Sequence, residues 1–260
     1  MNKYNSLRME VVRCFGSLRF WGCIALVLLS CCLYLAGSWT SVVQNIYGVH
    51  SVITILNQMI NFDRFKSLTL LAAAFVYSGS FCDDRKDNYL CFICTRTTLK
   101  KYVFNKVIIN GVGVFTAIIV GIIAFSLILS IFIPYYIPGE LNIIEYRGIV
   151  GCIFYMVLPF AFGSIFLTTL GLLFSTIVLD KMIVYAIPFL CNYVFSSLTY
   201  NIGSEGMLFV GLMSSDILVL EEFKFLNLLL KIFIFLFLSG LLSITFYMKL
   251  KRSMENDNYK

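Results

Sequence analysis

The sequence has little charge and few residues that interrupt helices. Only 13% of its 260 residues are charged and only 4 are proline, whereas an ordinary globular protein is about 25% charged. The hydrophobic fraction is 60%, and long apolar runs recur along the whole chain. This pattern excludes a soluble domain with a single anchor, and the 25 Phe and 15 Tyr exclude a disordered chain. We therefore predict a polytopic membrane protein.

The residues that usually carry chemistry are also scarce. The chain has one histidine, His50, and it contains no H-E-x-x-H, G-x-S-x-G or glycine-rich phosphate loop. Cys91 and Cys94 have C-x-x-C spacing, but a zinc site needs two further ligands, and neither a second pair nor a nearby histidine is present. We expect two reduced thiols there. The sequence predicts no catalytic residue, no metal and no cofactor bound by this chain, and hence a protein that is not an enzyme.

Hydropathy predicts six transmembrane helices. A helix rises 1.5 Å per residue, so crossing a bilayer core of about 30 Å takes about 20 mostly apolar residues, and lipid leaves the helix as the default backbone structure. The predicted spans are 20–38, 66–82, 103–133, 148–174, 182–199 and 225–248. Pro159 and Pro188 are the expected kink sites. The apolar stretch 42–62 carries several polar residues and is predicted as a helix on the outer surface.

Basic residues orient these spans. Short cytoplasmic loops collect Lys and Arg, and with the N-terminus inside, 15 of the 20 Lys and Arg fall in inner segments and five in outer ones. Omitting the short second span would place the basic 83–106 segment outside. We therefore expect both termini in the cytoplasm. The net charge of +6 then lies mostly where anionic lipid attracts it, and no nucleic-acid partner is implied.

The first 19 residues have an amphipathic helical pattern. Apolar residues recur at spacings of three or four, and basic residues lie on or beside the opposite face. The apolar positions are Tyr4, Leu7, Val11, Phe15 and Leu18, and the basic ones include Arg8, Arg13 and Arg19. Such a helix lies flat at the membrane interface in contact with lipid. A plain topology anchor without a mechanical role is the alternative interpretation.

The predicted spans contain almost nothing ionisable. Lys231 lies near the outer start of the sixth span, where its ammonium group can reach the interface. An ion-coupled carrier normally places acidic or basic groups at membrane depth. Their apparent lack predicts that any uphill transport takes its energy from another subunit.

The segment 83–102 between the second and third spans has acidic residues first and basic residues after them. The order of eight residues in and just after this segment resembles that in the permease subunits of type-2 ATP-binding-cassette (ABC) transporters. These residues are Asp84, Asn88, Thr95, Arg96, Lys100, Lys101, Tyr102 and Lys106. In that family, the loop after the second span runs from an acidic residue through a turn and an apolar stretch to Thr-Arg, a basic pair, a Tyr and a Lys. Glu and Gly usually stand where this chain has Asp84 and Asn88, and Pro often stands at Thr97. The N-terminal interfacial helix and the six spans match the family layout over nearly the whole chain.

The resemblance implies that ATP binding and transport belong to separate chains. A separate ABC ATPase, in two copies, would bind ATP and Mg, and the permease would pair with a second copy of itself or with a related permease. The segment 83–102 would dock into the ATPase, with Asp84 orienting it and with Arg96, Lys100 and Lys101 contacting the ATPase or lipid phosphate. The outer segment 200–224 would form re-entrant or interfacial helices. The expected location is the cytoplasmic membrane of a bacterium.

We therefore expect an exporter of an amphipathic peptide or another hydrophobic substrate, or a protein that protects against such a peptide. A non-transporting membrane scaffold or peptide-immunity protein is the alternative. Direction of transport and the choice between homodimer and heterodimer stay open.

Overall fold

The computed structural model describes residues 4–37, 51–87, 89, 97–136, 148–202, 212–213 and 224–257. These residues form helices and no strands. The helices are α1 Tyr4–Phe15, α2 Leu18–Gly37, α3 Val52–Asn61, α4 Asp63–Tyr77, α5 Ser80–Lys86, α6 Leu99–Leu129, α7 Ile149–Phe174, α8 Lys181–Ile202 and α9 Lys224–Asp257.

Five helical segments are long and apolar enough to cross a bilayer. They are Leu18–Gly37, Asp63–Lys86, Leu99–Leu129, Ile149–Phe174 and Phe225–Glu255. The second of these contains α4 and α5, which are separated only by Ser78 and Gly79. The remaining predicted span, 182–199, lies in α8, whose 22 residues correspond to about 33 Å of helix. The chain is therefore an all-α polytopic membrane protein, as predicted.

Contacts at the two ends of the bundle show that successive spans alternate in direction. At one end, Phe81 of α5 packs on Phe246 near the end of α9 with ring centroids 5.5 Å apart, and Arg85 donates to the carbonyl of Thr176 after α7. At the other end, the amide of Val52 donates to the carbonyl of Pro134 after α6. The end that carries α1 is called the α1 end. The start of α6 and the last turns of α9 also lie there.

The interfacial helix is shorter than the sequence predicted. The prediction of a helix over residues 1–19 is wrong at its C-terminal side, because α1 ends at Phe15 and Arg19 belongs to the first turn of α2. The hydroxyl of Ser17 accepts a hydrogen bond from the amide of Phe20 at 3.3 Å. Ser17 thus caps a new helix and sets the change of direction between α1 and α2.

The predicted outer-surface helix is instead buried. Within 42–62, the described part contains α3, whose ten residues span about 15 Å, half of a bilayer core. Six of them are at most 2% exposed, namely Val52, Ile53, Ile55, Leu56, Met59 and Ile60. Contacts with α4, α6 and α7 cover this helix. The prediction rested on the polar residues of this stretch, but of these Gln58 is exposed and Asn57 half-buried on one side of α3, while the apolar side packs into the bundle.

The outer segment 200–224 is described only in part. Met213 is fully buried, and a Cβ placed on Gly163 of α7 would come within 2.6 Å of its side chain. Gly163 lies near the middle of α7, so the chain enters the bundle at this point. Pro159 and Pro188 lie inside α7 and α8, which continue as helices through both positions.

Candidate functional site

A cluster of charged and phenolic side chains lies at the α1 end, where α1, α4, α5 and α6 meet, and all of its members except Arg13 are buried. The buried charge cluster comprises Glu10, Arg13, Tyr77, Asp84, Tyr102 and Lys106. Glu10, Asp84 and Lys106 are 4%, 0% and 0% exposed. Ionised groups withdrawn from water need charged or hydrogen-bonding partners, and the four helices supply them.

Asp84 of α5 lies at the centre of this cluster. Its Oδ1 accepts a hydrogen bond from a guanidinium N–H of Arg13 at 2.5 Å. Its Oδ2 accepts one from the Tyr102 hydroxyl at 2.6 Å and lies 2.7 Å from Nζ of Lys106. One carboxylate therefore binds α1 through Arg13 and α6 through Tyr102 and Lys106.

Lys106 of α6 is enclosed by acidic and aromatic groups. Besides Asp84, its Nζ lies 3.7 Å from Oε2 of Glu10. The same ammonium lies 4.8 Å from the ring centroid of Tyr77 and 5.6 Å from that of Tyr102, within the range of cation–π attraction. This environment compensates the charge of a lysine that has no access to solvent.

Helix α1 contributes one charge of each sign. Glu10 accepts a hydrogen bond from the Tyr77 hydroxyl. Burial lowers the affinity of Arg13 for its proton, but the hydrogen bond to Asp84 and the negative charge there outweigh burial and raise the pKa of Arg13 above its ordinary value. Arg13 therefore stays charged. The neighbouring Cys14 thiol has its pKa raised by burial and by Glu10 to about 12, so it stays protonated at neutral pH.

Three consecutive residues of α5 connect it to its surroundings. Asp83, Asp84 and Arg85 are called the α5 triplet. Asp83 binds Arg19 of α2 at 3.0 Å and also Lys181 of α8. Arg85 donates to the carbonyl of Thr176 in the α7–α8 turn at 3.4 Å. Together with the partners of Asp84, the α5 triplet holds α1, α2, α6, the α7–α8 turn and α8.

The structure divides the predicted coupling residues into two groups. Asp84, Tyr102 and Lys106 lie together inside the bundle, and Arg13 joins them from α1. Lys100 is exposed and Lys101 half-buried in the first turns of α6, while Arg8 is exposed on α1. Arg19 lies at the start of α2 and reaches Asp83. Asn88 and Arg96 lie outside the described residues, as do His50, Cys91 and Cys94.

The prediction that the spans contain almost nothing ionisable is wrong. Besides Asp84 and Lys106, Lys66 and Lys231 are 2% and 1% exposed, so Lys231 is covered by protein rather than directed to the interface. Lys66 lies 3.8 Å from Asp63. Sequence reasoning also missed Glu10 and Tyr77. Glu10 follows Leu7 by three residues, on the apolar side of α1, and that position was a signal of its burial.

A cleft of about 410 Å³ adjoins the cluster. Met9, Glu10, Val12, Arg13, Asp87 and Tyr89 line it. It therefore lies between α1 and the residues that follow α5. Within the described ranges, no three His, Cys, Asp or Glu side chains are grouped so as to hold a metal ion.

Comparisons with known proteins leave the site to be interpreted from its geometry. No protein-family model matches the chain, and no curated protein or solved structure was found to be similar to it. The cluster consists of ion pairs, hydrogen bonds and cation–π contacts between helices. Removing one partner of such a buried pair costs about 3–5 kcal/mol, so the cluster can hold four helices in a fixed relation and transmit a displacement of one to the others.

Proposed function

We propose that this chain is the membrane-spanning permease subunit of an ABC exporter, driven by a separate ATPase. The observation that carries the proposal is the α5 triplet. Asp83, Asp84 and Arg85 contact four helices and one inter-helix turn, and they are the first three residues of the segment 83–102, which resembles the coupling region of type-2 ABC permeases. A force applied to that segment would reach α5 first.

The contacts of the triplet give this force a path. A displacement of α5 moves Asp84, which pulls on α1 through Arg13 and on α6 through Lys106. It also moves Asp83, which is bound to α2 and α8. In this proposal, closure of two ATPase subunits on ATP and Mg pushes the segments inward, and the ion pairs pass the movement to the spans around a central path.

Partners and location follow from the same proposal. Two copies of the chain, or this chain and a related permease, enclose the path in the cytoplasmic membrane of a bacterium. The α1 end faces the cytoplasm because the ATPase lies there. The apolar and aromatic character of the spans favours an amphipathic peptide or hydrophobic small molecule as the exported substrate.

The buried carboxylates favour a second candidate from another class of transporter. Glu10 and Asp84 lie next to Lys106 inside the bundle, and acidic groups at such positions bind the driving ion in proton-coupled carriers. The low ionisable content of the spans therefore no longer supports an external energy source. One observation argues against a carrier. The negative charges of both carboxylates are already compensated by ion pairs and hydrogen bonds from Arg13, Lys106, Tyr77 and Tyr102.

One experiment separates these candidates. The full chain is purified in mild detergent from its native host and probed for a co-purifying ATPase, and the complex is reconstituted into sealed vesicles. We expect ATPase activity and ATP-dependent movement of a hydrophobic dye or peptide. Purified chain alone that moves cargo under a pH gradient would instead support the carrier, and a chain with no ATPase partner and no transport would support the scaffold.

A matched pair of variants tests the coupling segment. Arg96→Glu combined with Lys100→Glu reverses two positive charges in the proposed docking segment, and Lys251→Glu combined with Arg252→Glu reverses two exposed charges at the same end of the bundle on α9. We expect the first pair to lower transport per ATP hydrolysed by at least about tenfold, as loss of a docking contact worth 1.4 kcal/mol would. The second pair should leave coupling unchanged. Equal coupling in both variants would contradict the docking assignment.

A further inference from the structure

A second cavity lies where α1 turns into α2. This α1–α2 cleft has a volume of about 350 Å³, and Arg13, Leu18, Arg19, Ser80 and Asp83 are among its lining residues. Its size lies within the range of small-ligand sites, about 300–1,000 Å³. Asp83, the first residue of the proposed docking segment, lies at one side of the cleft, and Arg13 connects the cleft to the buried charge cluster.

The cleft has the charge of an anion site. Arg13 and Arg19 each donate one N–H to an aspartate, at 2.5 and 3.0 Å. A guanidinium carries five N–H groups in a fork that matches phosphate, and these two side chains are 38% and 47% exposed. The charged residues that line the cleft are two basic ones, Arg13 and Arg19, and one acidic one, Asp83, which leaves one positive charge.

Two further groups support binding of a phosphate there. The first turn of α2 begins at Leu18, and the start of a helix of this length carries partial positive charge, although Ser17 already accepts a hydrogen bond from the amide of Phe20. Ser80 is 5% exposed, and its hydroxyl has no hydrogen-bond partner among the described residues. A buried hydroxyl without a partner is costly, and a phosphate oxygen could accept a hydrogen bond from it.

The surroundings of the cleft place it at the depth of lipid headgroups. Leu18 is 91% exposed and Trp21, one turn further along α2, is 63% exposed. Exposed apolar residues at the start of a span face lipid, and tryptophan is enriched where headgroups meet hydrocarbon. The cleft thus opens beside the polar boundary of the bilayer.

We infer that the α1–α2 cleft binds the phosphate of an anionic phospholipid headgroup between Arg13 and Arg19. The inference goes beyond the proposed function and does not depend on it. Because Arg13 also binds Asp84 and Arg19 also binds Asp83, a headgroup in the cleft joins α1 and α2 to the α5 triplet. Anionic lipid would therefore stabilise the packing of α1 against the bundle.

Binding is measured on the delipidated full chain in neutral detergent by native mass spectrometry. The probes are phosphatidylglycerol, phosphatidylcholine, phosphatidylethanolamine and inorganic phosphate. We expect phosphatidylglycerol to bind about tenfold more tightly than either zwitterionic lipid, and Arg19→Gln to lower its affinity by about tenfold, as loss of one charge-assisted hydrogen bond would. Arg8→Gln, which removes an exposed arginine of α1 outside the cleft, should leave the affinity unchanged.

Ser80→Ala is a second variant, which tests the site with little risk of unfolding the protein. It removes only a hydroxyl that has no partner among the described residues, so the fold should be retained, and the affinity for phosphatidylglycerol should fall about threefold, at the lower limit of one hydrogen bond. Equal affinities for Arg19→Gln and Arg8→Gln would overturn the site. Equal binding of all three lipids, or preference for phosphatidylethanolamine, would overturn the anionic preference. Displacement of lipid by millimolar inorganic phosphate would assign the cleft to free phosphate instead.

Discussion

Asp84 is in a position where a carboxylate must have cationic partners. It is fully buried, and Arg13, Tyr102 and Lys106 all bind its two oxygens. The three partners come from two helices, so the carboxylate is both an internal charge and a link between elements. Its replacement therefore tests packing and electrostatics together.

Asp84→Asn should destabilise the protein strongly. The amide cannot compensate Lys106 and Arg13 as a carboxylate does, and leaving a buried charge without its partner costs about 3–5 kcal/mol. The measurement is the free energy of unfolding in a detergent titration. Asp87→Asn, which neutralises an exposed aspartate just after α5, is the control and should change the free energy by less than about 0.5 kcal/mol.

A double-mutant cycle identifies the partner. Lys106→Met alone should also destabilise, and Asp84→Asn with Lys106→Met should cost less than the sum of the two by about 0.5–3 kcal/mol, because the pair is in contact. Strict additivity would show that the pair at 2.7 Å carries no coupling energy.

The sequence predicted part of this site, but from a family resemblance and not from the contacts that the structure shows. Asp84, Tyr102 and Lys106 were selected by a resemblance in order along the chain, and that order could not show that α5 and α6 bring all three together. Glu10 was missed because only the apolar and basic positions of the N-terminal helix were considered. Which charges pair depends on how α1 packs against α6, and no local pattern records that packing.

At the scale of elements, α2 and α6 approach closely at a glycine. A Cβ on Gly121 of α6 would lie 2.6 Å from Cγ1 and 2.9 Å from Cβ of Val27 on α2. Val27 is fully buried. Small residues at such crossings let two membrane helices pack backbone to side chain, since dispersion rather than the hydrophobic effect holds helices together in lipid.

Gly121→Ala should therefore destabilise the bundle by about 1–3 kcal/mol through overpacking. Gly22→Ala on α2 is the matched control, because a Cβ there meets nothing within 4 Å, and its unfolding midpoint should not fall. Combining Gly121→Ala with Val27→Gly should restore part of the loss, because it removes both Cγ1 and Cβ, the two atoms of Val27 that clash. Loss of stability in Gly22→Ala as large as in Gly121→Ala would show that the glycine contact does not matter.

Elements differed in how well hydropathy predicted them. The long spans were predicted because the bilayer requires about 20 apolar residues whatever their neighbours are. Hydropathy could not place α3, since ten apolar residues fit a surface or a core equally well. The side of α7 that packs was also not predictable, because α7 is apolar on all sides and lacks an amphipathic period.

At the scale of the whole molecule, the described positive charge is concentrated at the α1 end. The basic residues in that region are Arg8, Arg13, Arg19, Arg85, Lys86, Lys100, Lys101, Lys106, Lys181, Lys249, Lys251 and Arg252. At the opposite end, the basic residues with described side chains are Arg64, Lys66 and Lys231. The structure thus places on one end the described residues that the sequence assigned to the inner side, and the positive-inside rule predicts that this end faces the cytoplasm.

Reporter fusions test this orientation. Green fluorescent protein attached after residue 260 should fluoresce, because the last turns of α9 lie at the α1 end. Alkaline phosphatase inserted after Tyr136, beyond the opposite end of α6, should be active because the predicted orientation places that site outside. The same enzyme inserted after Ile177, in the α7–α8 turn at the α1 end, is the control and should be inactive. Activity after Ile177 together with a dark C-terminal fusion would reverse the orientation, and a permease whose coupling segment faces outward could not meet an ATPase in the cytoplasm.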